Sequence, residues 1–290
     1  MEYFDLNIRP VLIDDITTCI ANLITNAIIE CHNQTYIQNS LFNYDKNTRT
    51  LKINDDGTGI KLLDFVAHLN VTDNGITCEL RDAISIFMAN KINIKIESNF
   101  GTFTPVLRNK EVNGQQIPCI FIAYDQTNSI KDHHGTQITL NPIKKQIIDE
   151  LKPDFSFLQN WTKVISTTRG SVLIGRTSTN IYLNGKNITH FGTNNFHFHH
   201  HFIFSYDISE NPKESILFKN NSAEYITTYI NQILKQLNNE DKETIYAKYI
   251  NKYDSFEWND SAIRNTIIKY LTKLTPTKYI IAMSVEKMVL

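Results

Sequence analysis

The chain has 290 residues and carries 29 Lys and Arg against 30 Asp and Glu, a net charge of −1. That length holds one large domain or two modest ones, and the intermixed charge gives no global field towards nucleic acid or a membrane surface. The four cysteines, Cys19, Cys31, Cys78 and Cys119, lack metal-site spacing. With no basic-then-apolar leader in MEYFDLNIRP and no apolar run long enough for a bilayer, the expectation is a soluble, cytoplasmic protein with reduced thiols.

In chain order, Asp14 and Asp15 are candidate caps for a helix running to about His32. Its apolar positions Ile16, Ile20, Leu23, Ile24, Ala27 and Ile28 recur at helical spacing. The same helix carries Asn22, Asn26 and Glu30 at one-turn intervals. An amide inside a helix is mildly unfavourable, so Asn26 is either solvent-facing or kept for a ligand. A strand over Leu51–Asn54 then ends in the turn Asp55-Asp56-Gly57-Thr58-Gly59. Glycine there permits positive φ and close backbone approach. A carboxylate at a strand end beside such a turn can accept a hydrogen bond from a purine amino group, although a plain surface turn fits as well. The spacing next predicts a helix over Lys61–Leu69 with Leu62, Leu63, Phe65, Val66 and Leu69 buried, and another over Glu79–Asn90. Between them, VTDNGITCEL holds the single glycine Gly75.

Strands are predicted at Ile92–Glu97, Thr102–Leu107 and Ile117–Tyr124, the last continuous enough to be central in a sheet, with a hairpin turn at Val112–Gln116. His133-His134-Gly135-Thr136 leads into a strand at Gln137–Leu140, and the His pair reads as a solvated loop. A short helix over Ile143–Leu151 follows, and Pro153 marks a domain boundary. Beyond it, Val172–Ile174 and Asn180–Lys186 read as strands. FHFHHHFIF, taken as a strand, puts His197, His199 and His201 on one face and Phe196, Phe198, Phe202 and Phe204 on the other. Those histidines are either a zinc or nickel site or an exposed polar face, and successive same-face residues on one strand converge poorly on a metal. The tail is helical from Ala223, in segments to about Leu237, over Asp241–Tyr253 and over Ser261–Leu274. Lys and Arg are scattered, so no nucleic-acid groove is indicated.

Asn26-Ala27 on a helix, Asp55-x-Gly57-x-Gly59 after a strand and a late Gly135-Thr136 before another strand resemble, in that order, the ATP-binding domain of the GHKL superfamily. This is the gyrase, Hsp90, histidine-kinase and MutL type, and the resemblance covers roughly residues 12–141. It implies an α/β two-layer sandwich of Bergerat type over residues 1–152. A smaller transducer-like α/β unit with C-terminal helices would follow over 153–290, where IYLNGKNI resembles a segment of that second unit. The implied cofactors are ATP and Mg2+. Asp55 would take the adenine amino group, Gly57 and Gly59 would allow close backbone approach, Gly135 and Thr136 would complete the base pocket, and Asn26 would hold magnesium. Lys219 in ILFKNN is either a γ-phosphate lysine or a surface lysine. A nucleotide-gated homodimer and a protein partner of unknown identity belong to the same implication.

The chain also departs from the family. Asn22 stands where relatives carry the glutamate that activates water, and an amide orients a water without deprotonating it. Glu30 is the displaced fallback. If Leu80-Arg81-Asp82-Ala83 aligns with the Leu-Lys-Asp-Ala of some bacterial members, the glycines of the phosphate lid fall on Thr77, Cys78 and Glu79. A carboxylate there repels a triphosphate, whereas in the first turn of a helix it is ordinary. The expectation is therefore an ATP-binding protein with weak or absent hydrolysis. The alternative is a pseudo-ATPase scaffold that no longer binds nucleotide.

Overall fold

The computed structural model describes residues 2–5, 10, 15–31, 34–65, 78–127, 135–175, 180–189, 204–210, 223–242 and 244–245. The chain falls into two compact units: Met1–Gln159 with the turn Asn184–Lys186, and most of the chain from Asn160 onward. The architecture is mixed α and β, with large, mainly antiparallel sheets and a few helices.

The first unit is built on seven strands: β1 (Glu2–Asp5), β2 (Phe42–Asp45), β3 (Thr50–Asn54), β4 (Asn93–Ser98), β5 (Gly101–Val112), β6 (Gln115–Asp125) and β7 (Thr136–Asn141). They lie in the order β1-β6-β5-β4-β7-β3-β2, and every neighbouring pair is antiparallel. Period-two alternation gives this sheet two unlike faces. The register aligns Ile53, Ile138, Ile96 and Phe103 in one row and Leu51, Leu140 and Ile94 in another. These rows pack against helices α1 (Ile16–Glu30), α2 (Gln34–Asn39), α3 (Cys78–Ala89) and α4 (Lys145–Leu151) in one core, with Ile20, Ile24, Ile28, Ile84 and Phe87 fully or almost fully buried. The reverse face carries Lys52, Thr139 and Lys95 in one row and Asn54, Gln137 and Glu97 in the next. There Glu97 accepts from Lys95 Nζ at 2.6 Å and from Gln137 Nε2 at 3.0 Å.

Local chemistry sets the element ends. The Asp15 side chain caps α1 by accepting from the Thr18 N–H at 3.1 Å. Cys31 leaves the helix in an extended conformation, while its N–H still donates to the Ala27 carbonyl. The β5–β6 hairpin turns at Asn113 and Gly114, both at positive φ as a tight two-residue turn demands. The two strands run beyond their expected bounds on either side of that turn. β6 is paired on both sides and lies one place in from the sheet edge.

One expectation needs correction. Leu63 is 83% exposed, although Phe65 is buried and stacks on Phe103 at 4.3 Å. The described helical turn is short, at 62–65, and residues two apart point to opposite sides of a helix, so both cannot face the core. Pro153 lies in a 3-10 turn over Lys152–Asp154, and the first compact unit runs on to Gln159. Strands β1 and β2 were not foreseen.

The second sheet contains β8 (Lys163–Thr167), β9 (Gly170–Ile174), β10 (Ile181–Leu183), β11 (Lys186–Asn187) and β12 (Ser205–Ile208), in the order β11-β10-β12-β9-β8. β10 and β12 are parallel, and β12, β9 and β8 pair antiparallel. Helix α5 (Ala223–Gln236) brings Ile226, Ile230, Ile233 and Leu234 onto Val172, Ile181, Tyr206 and Ile208. Val66 and Leu69, the segment 71–77, His133 and His134, the histidines of FHFHHHFIF, Lys219 and the two later tail helices beyond 245 lie outside the described residues. Among the described residues no helix is long and apolar enough to cross a membrane.

Phe103 sits at the centre of the first core, fully buried between Phe65 and Tyr124. Phe103→Ala should cost roughly 3–5 kcal/mol in urea unfolding, and a loss under about 1 kcal/mol would contradict that placement.

Candidate functional site

The site begins where β3 leaves the sheet. The Asp55 N–H donates to the Thr136 carbonyl at 2.9 Å, extending the β3–β7 ladder by one rung. The chain then turns, and Asp55 Oδ1 accepts from the Gly57 N–H at 3.0 Å and the Thr136 N–H at 3.1 Å. One carboxylate oxygen thus ties its own turn to the start of a strand distant in sequence. Two glycines make this approach possible. Gly135 is at φ +104, and a Cβ there would lie 2.0 Å from the Asp55 carbonyl oxygen and 2.8 Å from Oδ1. Gly59 is at φ +75, and its Cβ would meet Asn99 Oδ1 at 2.1 Å and the Gly135 carbonyl at 3.0 Å. A side chain at either position would collide with the carboxylate turn or its neighbours.

Helix α1 closes the site on another side. A Cβ on Gly57 would come within 3.0 Å of the Glu30 carbonyl, so the last turn of α1 abuts the glycine turn. Asn26 and Glu30 are exposed and Asn22 is half-buried on that helix. The structure therefore brings Asp55, Gly57, Gly59, Gly135, Thr136 and the end of α1 into one place, with Asn26 one helical turn before Glu30 and Asn22 one turn earlier. Lys219 and the side chain of Glu79 lie outside the described residues.

Burial governs the electrostatics. It pushes the Asp55 carboxyl up to about 6, against the hydrogen bonds from Gly57 and Thr136, which pull it down, while Glu30 adds a small upward push. Behind the turn, burial holds the Cys31 thiol up at about 12; a hydrogen bond from the Asp56 backbone opposes this, and the Asp56 and Asp55 charges add to it. Burial also raises Tyr36 to about 12, with Cys31, Asp55 and Asp56 contributing. Cys31 is therefore a neutral packing group and not a nucleophile at physiological pH. Asp55 is a desolvated acceptor suited to a neutral N–H donor. Among the described residues no group of three or more His, Cys, Asp or Glu is placed to hold a metal.

Sequence reasoning missed Asn99. It follows β4 in the turn Ser98-Asn99-Phe100-Gly101, and its Oδ1 is buried and receives no hydrogen bond. Asn is ordinary in a tight turn, so nothing in the sequence separates it from other turn residues.

The Asp55 carboxyl titrates near 6 in the fold against 3.8 otherwise, so its buried charge lowers stability above pH 6 and has no effect below 3.8. Asp55→Asn should raise stability at pH 7.5 by up to ~3 kcal/mol, and this gain should fade as the pH falls to about 4. Denaturant titrations across that range test the sign. A variant-minus-wild-type difference that is flat with pH would contradict it.

No family model matches the chain. An uncharacterized protein of Mycoplasma pneumoniae is 31% identical to it over 227 residues, which span 74% of this chain and 87% of that protein. The chain belongs to the same family as that Mycoplasma protein.

Proposed function

We propose that the first unit is a GHKL-type ATP-binding module of Bergerat architecture, in which Asp55 reads the amino group of adenine. The observation that carries this reading is the half-buried, desolvated Asp55 carboxylate at a strand end, clasped by the Gly57 and Thr136 amides beside the last turn of α1. The antiparallel sheet with helices packed on one face is the frame this reading needs.

The residues present fit the ligand. A carboxylate offers about four lone-pair positions, so acceptor capacity remains for an amino donor after the two backbone bonds. A hydrogen bond made in this desolvated setting is stronger than one made in water. Asn26, exposed on α1, offers an amide oxygen, a hard donor suited to Mg2+. Thr136 is paired to Asp55 through both its backbone N–H and its carbonyl.

Binding and turnover separate in this reading. Asn22, half-buried one turn before Asn26, can orient a water but cannot accept its proton, so hydrolysis is weak or absent. The second reading, a pseudo-ATPase scaffold whose pocket no longer holds nucleotide, rests on Asn22 together with a lid sequence, VTDNGITCEL, that keeps the single glycine Gly75.

Calorimetric titration with ATP and magnesium separates the two. The first reading expects saturable binding that Asp55→Asn abolishes, with a stability gain of about 2.7 kcal/mol at ~100 times Kd. No heat and no stabilisation with any nucleotide would leave the scaffold reading alone. Asn22→Glu should raise the hydrolysis rate by ~100-fold if magnesium and phosphates are otherwise held, and no gain would contradict the role given to position 22.

A further inference from the structure

Asn99 lies outside the motif that defines the Asp55 site, yet it touches that site directly. Its Oδ1 occupies the space a Cβ on Gly59 would fill, with the Gly135 carbonyl beside it. Gly135 in turn packs on Asp55 Oδ1. Asp55, Gly135 and Asn99 therefore bring three oxygen acceptors around the two glycines.

The turn that carries Asn99 is firmly held. Ser98 Oγ donates to the Ile60 carbonyl at 2.8 Å and accepts from the Phe100 N–H at 3.1 Å. Tyr124 Oη donates to the Phe100 carbonyl at 2.8 Å, and the Lys61 ammonium lies 5.4 Å from the centre of the Phe100 ring. Asn99 Oδ1 nonetheless receives no hydrogen bond from the protein. A buried acceptor in that condition is destabilising, and leucine, which has the same branched shape with methyl groups in place of the amide, carries no such penalty. Retaining a polar amide there makes chemical sense if its partner comes from outside the chain.

We propose that Asn99 is a further base-reading residue of the Asp55 pocket, whose Oδ1 accepts an N–H from an amino-bearing purine directly or through one bridging water. The ligand class follows from the lining. Carboxylate, carbonyl and amide oxygens accept, so they favour a 6-amino base and disfavour a 6-oxo base, which presents an acceptor in the same place. An asparagine amide also offers a donor alongside its oxygen, matching the amino group and adjacent ring nitrogen of adenine. The inference rests on the nucleotide reading above and adds to it a second determinant of base choice.

The test compares ATP with ITP, by calorimetry and by thermal melting, in the full-length protein and in Asn99→Leu, with Asn99→Ala as the variant less demanding of packing. The wild type should bind ATP more tightly than ITP. Asn99→Leu should melt higher without nucleotide, bind ATP about tenfold more weakly and narrow the ATP-to-ITP ratio. Asn99→Ala should show the same narrowing. Unchanged ATP affinity and an unchanged ratio in both variants, with wild-type binding intact, would overturn the role of Asn99 alone. Absence of nucleotide binding by the wild type would overturn the nucleotide reading, and this inference with it.

Discussion

The first unit depends on one desolvated carboxylate. Asp55 lies at the point where β3 stops pairing, and its Oδ1 binds the amides of Gly57 and Thr136 across a long stretch of sequence. Burying a carboxylate costs stability, and the rise of its titration to about 6 reflects that cost. The two amide bonds offset only part of it. A group held at such expense fixes the geometry around it: Gly135 must lack a side chain to pass under the carboxylate, and Gly59 must lack one to let Asn99 in.

The rest of the unit supplies the rigidity this arrangement needs. The rows Ile53-Ile138-Ile96-Phe103 and Leu51-Leu140-Ile94 lock the register of β3 against β7 and β4, so a one-residue slip would turn the core rows to the polar face. Helix α1 is anchored at its start by the Asp15 cap and along its length by Ile20, Ile24 and Ile28. Its end is thereby delivered to the glycine turn, with Glu30 against Gly57. Core packing thus positions polar residues that contribute little to the core themselves.

Legibility in the sequence followed how unusual each residue is for its place. Asp55, Gly57, Gly59, Gly135 and Thr136 were readable because glycines flanking strand ends are informative, and the structure gathers all five at one point. The amphipathic α1 was readable because fifteen residues carry several turns of periodicity. The four-residue strands EYFD and FNYD carry too few alternations to stand out, and they exist because neighbouring strands recruit them. In the second sheet β9, β10 and β12 are buried at every position, so no alternation records which side faces α5. Leu63 misled because a leucine beside a buried phenylalanine suggests a shared face, which helical geometry forbids at that spacing. Asn99 was invisible because its importance lies in what its oxygen touches and not in its residue type.

The central claim is that Asp55 marks a base-binding pocket in the first unit. A crystal structure of the protein grown with magnesium and a non-hydrolysable ATP analogue tests it most directly. The account predicts the adenine amino group within hydrogen-bonding distance of the Asp55 carboxylate, and the metal on the Asn26 side of the site. An analogue bound elsewhere, or bound with its base turned away from Asp55, would contradict it.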